Sequence, residues 1–477
     1  MNLNGIIVGA ATFLIIGLCH PLVIKAEYHI GKKSWWGFLF IGASLAILSM
    51  TLKDNTLSTI AGAGAFSFFW GIGEIFAQEK RVLKGWFPEN PSRHDYYERL
   101  RKRGAGHTLI ICGAAVSLLF ISCNRQDNSL PEWALGEFVR PEGMNPVISP
   151  DSSVTFICPM SGNLVGWKES DTFNPAATVY DGRIAVLYRA EDNSAQGIGQ
   201  RTSRIGLAFS TDGTSMEFRD TPVMYPDEDN AKELEWPGGC EDPRVTVSMD
   251  STYYMMYTSW NRKVPRLCVA SSKDLIHWTK HGPAFADAYD GRFADIASKS
   301  GSVVTRIDST GRQIIAKVNG KYLMYWGEEM INLAESDDLI HWTPQTDSDG
   351  KLKGIVFPRE GYFDSQLTEC GPPAVLTENG IVLMYNGKNR NDDKGDKRYP
   401  SGTYSAGQIL FDAAEPASVL DRLDTPFFSP SEPFEKSGQY ADGTVFIEGL
   451  VLYKGKWYLY YGCADSFVGV AVFDPEK

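Results

Sequence analysis

The chain has 477 residues, 46 of them basic and 58 acidic, for a formal net charge of −12. That mean hides a contrast: residues 1–107 carry 12 Lys/Arg against 7 Asp/Glu, and the remainder carries 34 against 51. The acidic, Tyr- and Trp-rich C-terminal part argues against a nucleic-acid partner and for neutral or cationic ligands, and at roughly 350 residues it can bury a sizeable core.

Three apolar stretches open the chain, about Gly5–Ile24, Trp35–Leu52 and Leu57–Ala77, each near the ~20 residues that a membrane helix needs. Lys25, Lys32 and Lys33 follow the first, and a basic segment from Lys80 to Arg103 follows the third. The positive-inside rule puts both loops in the cytoplasm. A fourth segment, about Thr108–Ile121, then runs outward and leaves everything after Cys123 on the periplasmic or cell-surface side. This segment reads either as a fourth membrane helix or as a lipoprotein signal: an apolar Leu109–Phe120 run, then Phe120-Ile-Ser-Cys123 with Cys123 as the lipidation candidate. The domain expectation is a transmembrane module over 1–95, a basic segment, signal or helix, and linker over 96–130, and a separate domain over 131–477.

From Asp181 onward one pattern recurs five times. A turn leads into a strand ending in Tyr188, Tyr257, Tyr325, Tyr385 or Tyr461, and a second strand runs to Asp212, Asp274, Asp338, Asp412 or Asp474. The five Asp are 62, 64, 74 and 62 residues apart. A period near 60 residues, with several short strands per unit and no long helix, predicts an all-β five-bladed β-propeller. His277 and His341 repeat within one Asp-Leu-Ile-His-Trp turn and read as structural. Cys158, Cys240, Cys268, Cys370 and Cys463 lack metal-ligand spacing and read as isolated core residues.

The chemistry is then expected from carboxylates at strand ends. Each Tyr strand is followed by a different polar cluster, containing Arg189 and Glu191, Asn261 and Arg262, Glu328 and Glu329, Asn386 and Lys388, or Asp465. A repeated scaffold with unequal endings is how a fold carries a site. The sharpest motif is Gly238-Gly-Cys-Glu241-Asp242-Pro243-Arg244. Pro243 is expected to hold Asp242 extended, and Arg244 to pair with either carboxylate, splitting their proton affinities. Glu369, in Gln366-Leu-Thr-Glu-Cys-Gly-Pro-Pro373, lies 16 residues before its Tyr as Asp242 lies 15 before its own, which predicts similar places in two blades.

These motifs, with Asn174-Pro-Ala, Tyr188-Arg-Ala-Glu, Lys299-Ser-Gly, Phe363-Asp-Ser-Gln and Thr403-Tyr-Ser-Ala-Gly-Gln, resemble glycoside hydrolase family 130 over about residues 140–477. The first ~95 residues resemble a small bacterial membrane-protein family of unknown function. The resemblance implies a five-bladed propeller acting on β-mannoside oligosaccharides, as an inverting phosphorylase or an inverting hydrolase. It implies no cofactor beyond inorganic phosphate as co-substrate of a phosphorylase. It makes Asp242 the proton donor and lines the mannosyl subsite with Asn174, Arg189 and Arg244; Glu241, Asn261, Arg262, Lys299 and Asp364 are further substrate-binding candidates. Glu328 (or Glu329) and Glu369 fit activation of water. Phosphorylase members carry an Arg where this chain has Ser271, which removes a bidentate phosphate contact. The resulting expectation is an inverting β-mannosidase, β-1,2-linked substrates among its targets. The alternatives are a mannoside phosphorylase releasing mannose 1-phosphate and a non-catalytic glycan-binding lipoprotein.

Overall fold

The turns read from the sequence are tight hairpins. Tyr180 pairs with Arg183 across Asp181-Gly182, Val318 with Lys321 across Asn319-Gly320, and Tyr453 with Lys456 across Lys454-Gly455. In each loop both residues have positive φ, 47° and 70°, 52° and 84°, and 49° and 79°. Such two-residue loops match the twist of the strands they join, and Gly takes the second position without a Cβ clash.

The computed structural model describes residues 4–52, 54–83, 87–90, 93, 94, 96, 97 and 130–476. The chain divides into two units, Met1–Asp127 and Asn128–Lys477. In the second, the Tyr strands are Arg183–Glu191, Tyr253–Trp260, Lys321–Trp326, Gly380–Lys388 and Lys456–Cys463. Each lies in an antiparallel meander between an opening strand and a closing strand. The opening strands are Asp171–Tyr180, Gly239–Val247, Ser302–Val303, Leu367–Cys370 (resumed as Val375–Thr377) and Val445–Tyr453. The acidic turns that end the closing strands are also as read. Asp274 Oδ1 accepts the N–H groups of Ile276 and His277, and Asp338 Oδ1 those of Ile340 and His341. Both His side chains cap these exposed turns.

Successive side chains of a strand point to opposite faces, and here both faces are buried. Ala185 and Leu187 join an apolar cluster with Met255 and Tyr257 of the second meander, whereas Val186 and Tyr188 join one with Tyr460 and Val470 of the fifth. Further clusters link the second meander to the third through Met256 and Met324, the third to the fourth through Tyr325 and Ile381, and the fourth to the fifth through Met384 and Leu459. The order of packing is therefore cyclic. Cys158, Cys240, Cys268, Cys370 and Cys463 are all buried free thiols within this unit.

The fifth meander has three strands of its own, and chain from before the first meander completes it. Val139 N–H donates to Val472 O at 2.9 Å, Val468 N–H donates to Ile148 O at 3.0 Å, and Asn145 clasps the Val470 backbone through both side-chain atoms. An edge that would otherwise expose its ladder is covered.

In the first unit α1 (Asn4–Ile30), α2 (Trp35–Thr51) and α3 (Asn55–Leu83) share a small apolar cluster of Val23, Phe38, Ile72 and Ile75. Gly42 and Gly71 admit the rings of Phe69 and Phe38, where a Cβ would come within 2.6 and 2.7 Å. Phe40, Met50 and Trp70 face outward. Small residues inside and large apolar ones outside are the pattern of helices in lipid. Among the described residues Lys32–Thr51 and Thr56–Glu79 are long and apolar enough to cross a membrane, so two of the three expected spans meet that measure. The expected fourth segment and Cys123 lie outside the described residues.

Candidate active site

Three opening strands break register at their polar residue. Asn174 is extra between the Phe173–Arg189 and Pro175–Tyr188 pairs, Asp242 and Pro243 between Glu241–Thr258 and Arg244–Met256, and Glu448 between Ile447–Tyr461 and Gly449–Tyr460. A bulge takes a side chain out of the ladder and re-aims it. Asn174 and Asp242 have φ of 46° and 49°, so the expected extended conformation of Asp242 before Pro243 is not what forms. Asn and Asp tolerate the left-handed region better than other side chains, and hydrogen bonds hold it here.

Asp242 Oδ1 accepts from Asn174 Nδ2 at 2.9 Å and from Arg189 Nη1 at 3.1 Å. Arg189 also meets Glu191 at 2.7 Å and Glu241 at 2.9 Å, and its Nε donates to Ser203 Oγ at 3.1 Å. Lys299 is the second hub. Its Nζ lies 3.8 Å from Asp242, 3.6 Å from Glu328 and 3.9 Å from Glu369. Ser300, next to it, donates to Glu369 at 2.5 Å. Glu328 and not Glu329 belongs to this group: Glu329 is exposed and makes no ion pair among the described residues.

Charge and burial separate the carboxylates. Burial works to raise Asp242, but Arg189, Lys299 and Arg244 outweigh it and hold the group down at about 2. Glu241 is raised to about 7 by burial, with Arg189 opposing and the Asp242 charge adding. Glu369 is likewise raised to about 7 by burial, opposed by Lys299 and reinforced by Glu328. Asp465 goes up to about 6, chiefly by burial, and Glu448 is pushed well up, also by burial. Burial alone would strip Lys299 of its proton, yet Glu369, Glu328 and Asp242 keep it firmly charged.

Several sequence expectations need correction. Arg244 does not pair with Glu241 or with the Asp242 carboxylate. It is buried, with Nη1 3.0 Å from Glu448 and its other bonds to the carbonyls of Asp242, Cys370 and Gly371, so it lies beneath the site and cannot line a sugar subsite. Asp364 is committed elsewhere, to the Tyr385 hydroxyl at 2.6 Å, Arg359 at 3.0 Å and Arg422 at 2.5 Å. The same device recurs at Tyr257 with Glu235 and Lys280, and at Tyr461 with Glu435 and Arg140. Asp364 is therefore scaffold. Asn261 shapes its own turn, accepting from Lys263 and Val264 N–H, and Arg262 makes no ion pair among the described residues. Neither joins the cluster.

Ser271 is the largest correction. It pairs with Tyr254, three residues before Tyr257, while the acid stands level with Tyr257 and Thr258. An offset of that many residues is on the order of 10 Å along the strand, with two further strand spacings across the sheet. Ser271 Oγ contacts His281 Nε2 at 2.8 Å there. What stands at this position does not touch the reacting centre, and the argument against phosphate drawn from it falls.

Sequence reasoning missed Ser203, Ser300 and Glu448. The first two carry no signal beyond an ordinary serine. Glu448 does: it is an isolated carboxylate inside the apolar run Val445–Tyr453, and such groups are almost never buried without a partner. A cavity of about 360 Å³ lies at the far ends of the opening strands, lined by Thr178, Thr246, Thr305 and Gln313. None of the clustered carboxylates lines it.

Comparison with known proteins agrees with this geometry. Residues 159–477 match the glycoside hydrolase family 130 model, described as beta-1,4-mannooligosaccharide phosphorylase, and residues 2–93 match a domain of unknown function, DUF4491. The chain belongs to glycoside hydrolase family 130. It is a glycoside-active enzyme of a family whose members act on β-1,2- and β-1,4-mannosidic linkages. A 1,2-beta-oligomannan phosphorylase of Thermoanaerobacter sp. (strain X514) is 31% identical over 315 residues, 65% of this chain and 92% of the relative. A solved glycosyl hydrolase from Bacteroides ovatus is 62% identical, with a TM-score of 0.72 over 73% of this chain and 97% of the other. A second structure, presented as "The GH130 family of mannoside phosphorylases contains glycoside hydrolases that target beta-1,2 mannosidic linkages in Candida mannan", is 59% identical with a TM-score of 0.72, covering 73% and 97%.

Proposed function

We propose that residues 131–477 form a five-bladed β-propeller that hydrolyses β-mannosides with inversion, β-1,2 linkages among them. Five meanders packed in cyclic order, with four opening strands and the Lys299-Ser300 pair just before the remaining one, Ser302–Val303, contributing to one polar centre, support the architecture. The observation that carries the reaction is the grouping around Lys299. Legs of 3.8 Å to Asp242 and 3.9 Å to Glu369 meet at Nζ, so the acid and base oxygens stand at most about 8 Å apart, an upper bound that leaves the single-displacement range open. Single displacement with a water between two carboxylates needs roughly 6.5–9.5 Å.

Asp242 gives a proton to the glycosidic oxygen, directly or through a sugar hydroxyl, as the C1–O bond breaks. A water on the opposite face attacks C1 and loses its proton to Glu369 or Glu328. In the free site Asp242 is held low and its neighbour Glu241 is raised, so turnover requires a proton to reach Asp242 when sugar displaces solvent, with Glu241 beside it as a source. Asn174 and Arg189 hold Asp242 in place and, with Glu241, border the mannosyl side. Among the described residues Glu191, Glu241, Asp242, Glu328 and Glu369 pair with Arg189, Lys299 and, at Glu191, Arg201, so the carboxylates outnumber their cations, which disfavours phosphate.

Phosphorolysis is the second reading. The family description and the oligomannan phosphorylase back it better than they back hydrolysis, while the solved structures at 59 and 62% identity favour water. Incubation with β-1,2-mannobiose with and without phosphate separates the two. Free mannose without phosphate supports hydrolysis, mannose 1-phosphate formed only with phosphate overturns it, and neither product points to a glycan-binding protein. We further propose that the enzyme unit lies outside the inner membrane, tethered by the helices of residues 1–95 or by lipid on Cys123; mass analysis of the mature N-terminus distinguishes the two tethers.

A further inference from the structure

Arg244 and Glu448 lie 3.0 Å apart beneath the reacting groups, and the chemistry above uses neither. Both side chains are buried. Glu448 stands at the bulge of its strand, where Gly449 lets that strand approach the Asp171–Tyr180 strand; a Cβ at 449 would sit 2.8 Å from the Pro175 carbonyl oxygen. Neither Glu448 carboxyl oxygen has a hydrogen-bond partner among the described residues, and Arg244 is the one cation within ion-pair distance of it there. Arg244 spends its other donors on backbone. Nη1 donates to the Asp242 carbonyl at 3.0 Å, Nη2 to the Cys370 carbonyl at 2.9 Å, and Nε to that of Gly371 at 3.3 Å. One guanidinium thus ties together the second, fourth and fifth meanders. It grips the acid residue itself on one side and the neighbour of Glu369 on the other.

We infer that Glu448 is a positioning residue: acting through Arg244, it fixes the separation between Asp242 and Glu369. The physical reason is competition. A buried guanidinium deprived of the carboxyl group it rests on is free to turn toward the carboxylates of the site, and lets go of the carbonyls it holds. A displacement near 1 Å in such a constellation can cost on the order of 100-fold in rate. The inference rests on the assignment of Asp242 and Glu369 as acid and base; it does not depend on whether water or phosphate attacks.

Glu448→Met keeps the volume and removes the acceptor, whereas Glu448→Gln keeps a carbonyl oxygen for Arg244. With β-1,2-mannobiose, E448M is expected to lower kcat about tenfold or more while KM stays within about twofold, and E448Q to restore most of the loss. Arg244→Lys should reproduce the E448M loss, and the double variant should fall no lower than either single one, because both break one link. A folded E448M with wild-type kcat overturns the inference, as do losses that multiply in the double variant. If E448M does not fold, R244K and E448Q carry the test, and an R244K effect confined to KM overturns it. Failure of the underlying assignment shows separately, as turnover retained in Asp242→Asn.

Discussion

At the scale of single residues the account turns on which carboxylate holds a proton. Against burial, Arg189 and Lys299 hold Asp242 low, whereas burial raises Glu241 and Glu369 toward about 7. As the base, Glu369 must be ionised, so kcat/KM is expected to rise with pH through about 7. Lys299 opposes the upward shift of Glu369, so Lys299→Met should move that limb to higher pH; an unmoved limb would remove Glu369 as the titrating base. Asp242→Asn should lower kcat by about 10²–10⁴-fold with the fold intact. The same shift bears on stability. A buried acid whose folded pKa is raised stabilises the protein below its unfolded value near 4.5, and that contribution is lost as pH climbs through about 7. Glu369→Gln is therefore expected to be inactive yet to melt higher than the wild type at pH 8; an equal or lower Tm there would contradict the ionised, buried carboxylate.

At the scale of elements, strands were legible and registers were not. Asp-Gly, Asn-Gly and Lys-Gly before an apolar run ending in Tyr mark hairpins because the turn chemistry is local. A bulge is not local, since it depends on which residue the partner strand skips, and three bulges build this site. Glu369 proves register-equivalent to Glu241, as Glu369 faces Asn386 and Glu241 faces Thr258 just after their Tyr residues. The near-equal spacing to Tyr matched Glu369 to Asp242, whereas the register matches it to Glu241 and throws Asp242 out of the ladder. Ser271 misled for a related reason: in a meander the strand after the Tyr strand runs away from the site, so a residue near its end lies far from the acid. Asp364 and Glu369 stand in one motif and look alike as letters, yet one braces Tyr385 and the other meets Lys299. Asp364→Ala is accordingly expected to cost about 3–5 kcal/mol by leaving Arg422 without an anion and Arg359 with Asp424 alone. The folded fraction should bind β-mannosides with unchanged KM, and a raised KM at full stability would return Asp364 to the substrate.

At the scale of the molecule, closure comes from the segment that precedes the first meander. Val139, Asn145 and Ile148 complete the fifth meander and so link the beginning of the catalytic unit to its end. A chain starting at residue 130 is expected to fold and turn over substrate without the helices. One starting at residue 150 exposes the Phe467–Phe473 edge and should melt lower and aggregate; equal melting of the two would show that the segment does not close the fold. The helices of residues 4–83 then act as a separate module, two of them long and apolar enough to span a bilayer. Single displacement by the carboxylates gathered at Lys299 fixes the anomer that is released first. Proton NMR of β-1,2-mannobiose during the first turnovers in phosphate-free buffer is expected to show α-mannose before mutarotation. β-Mannose as the first product, or no release until phosphate is added, would contradict the account.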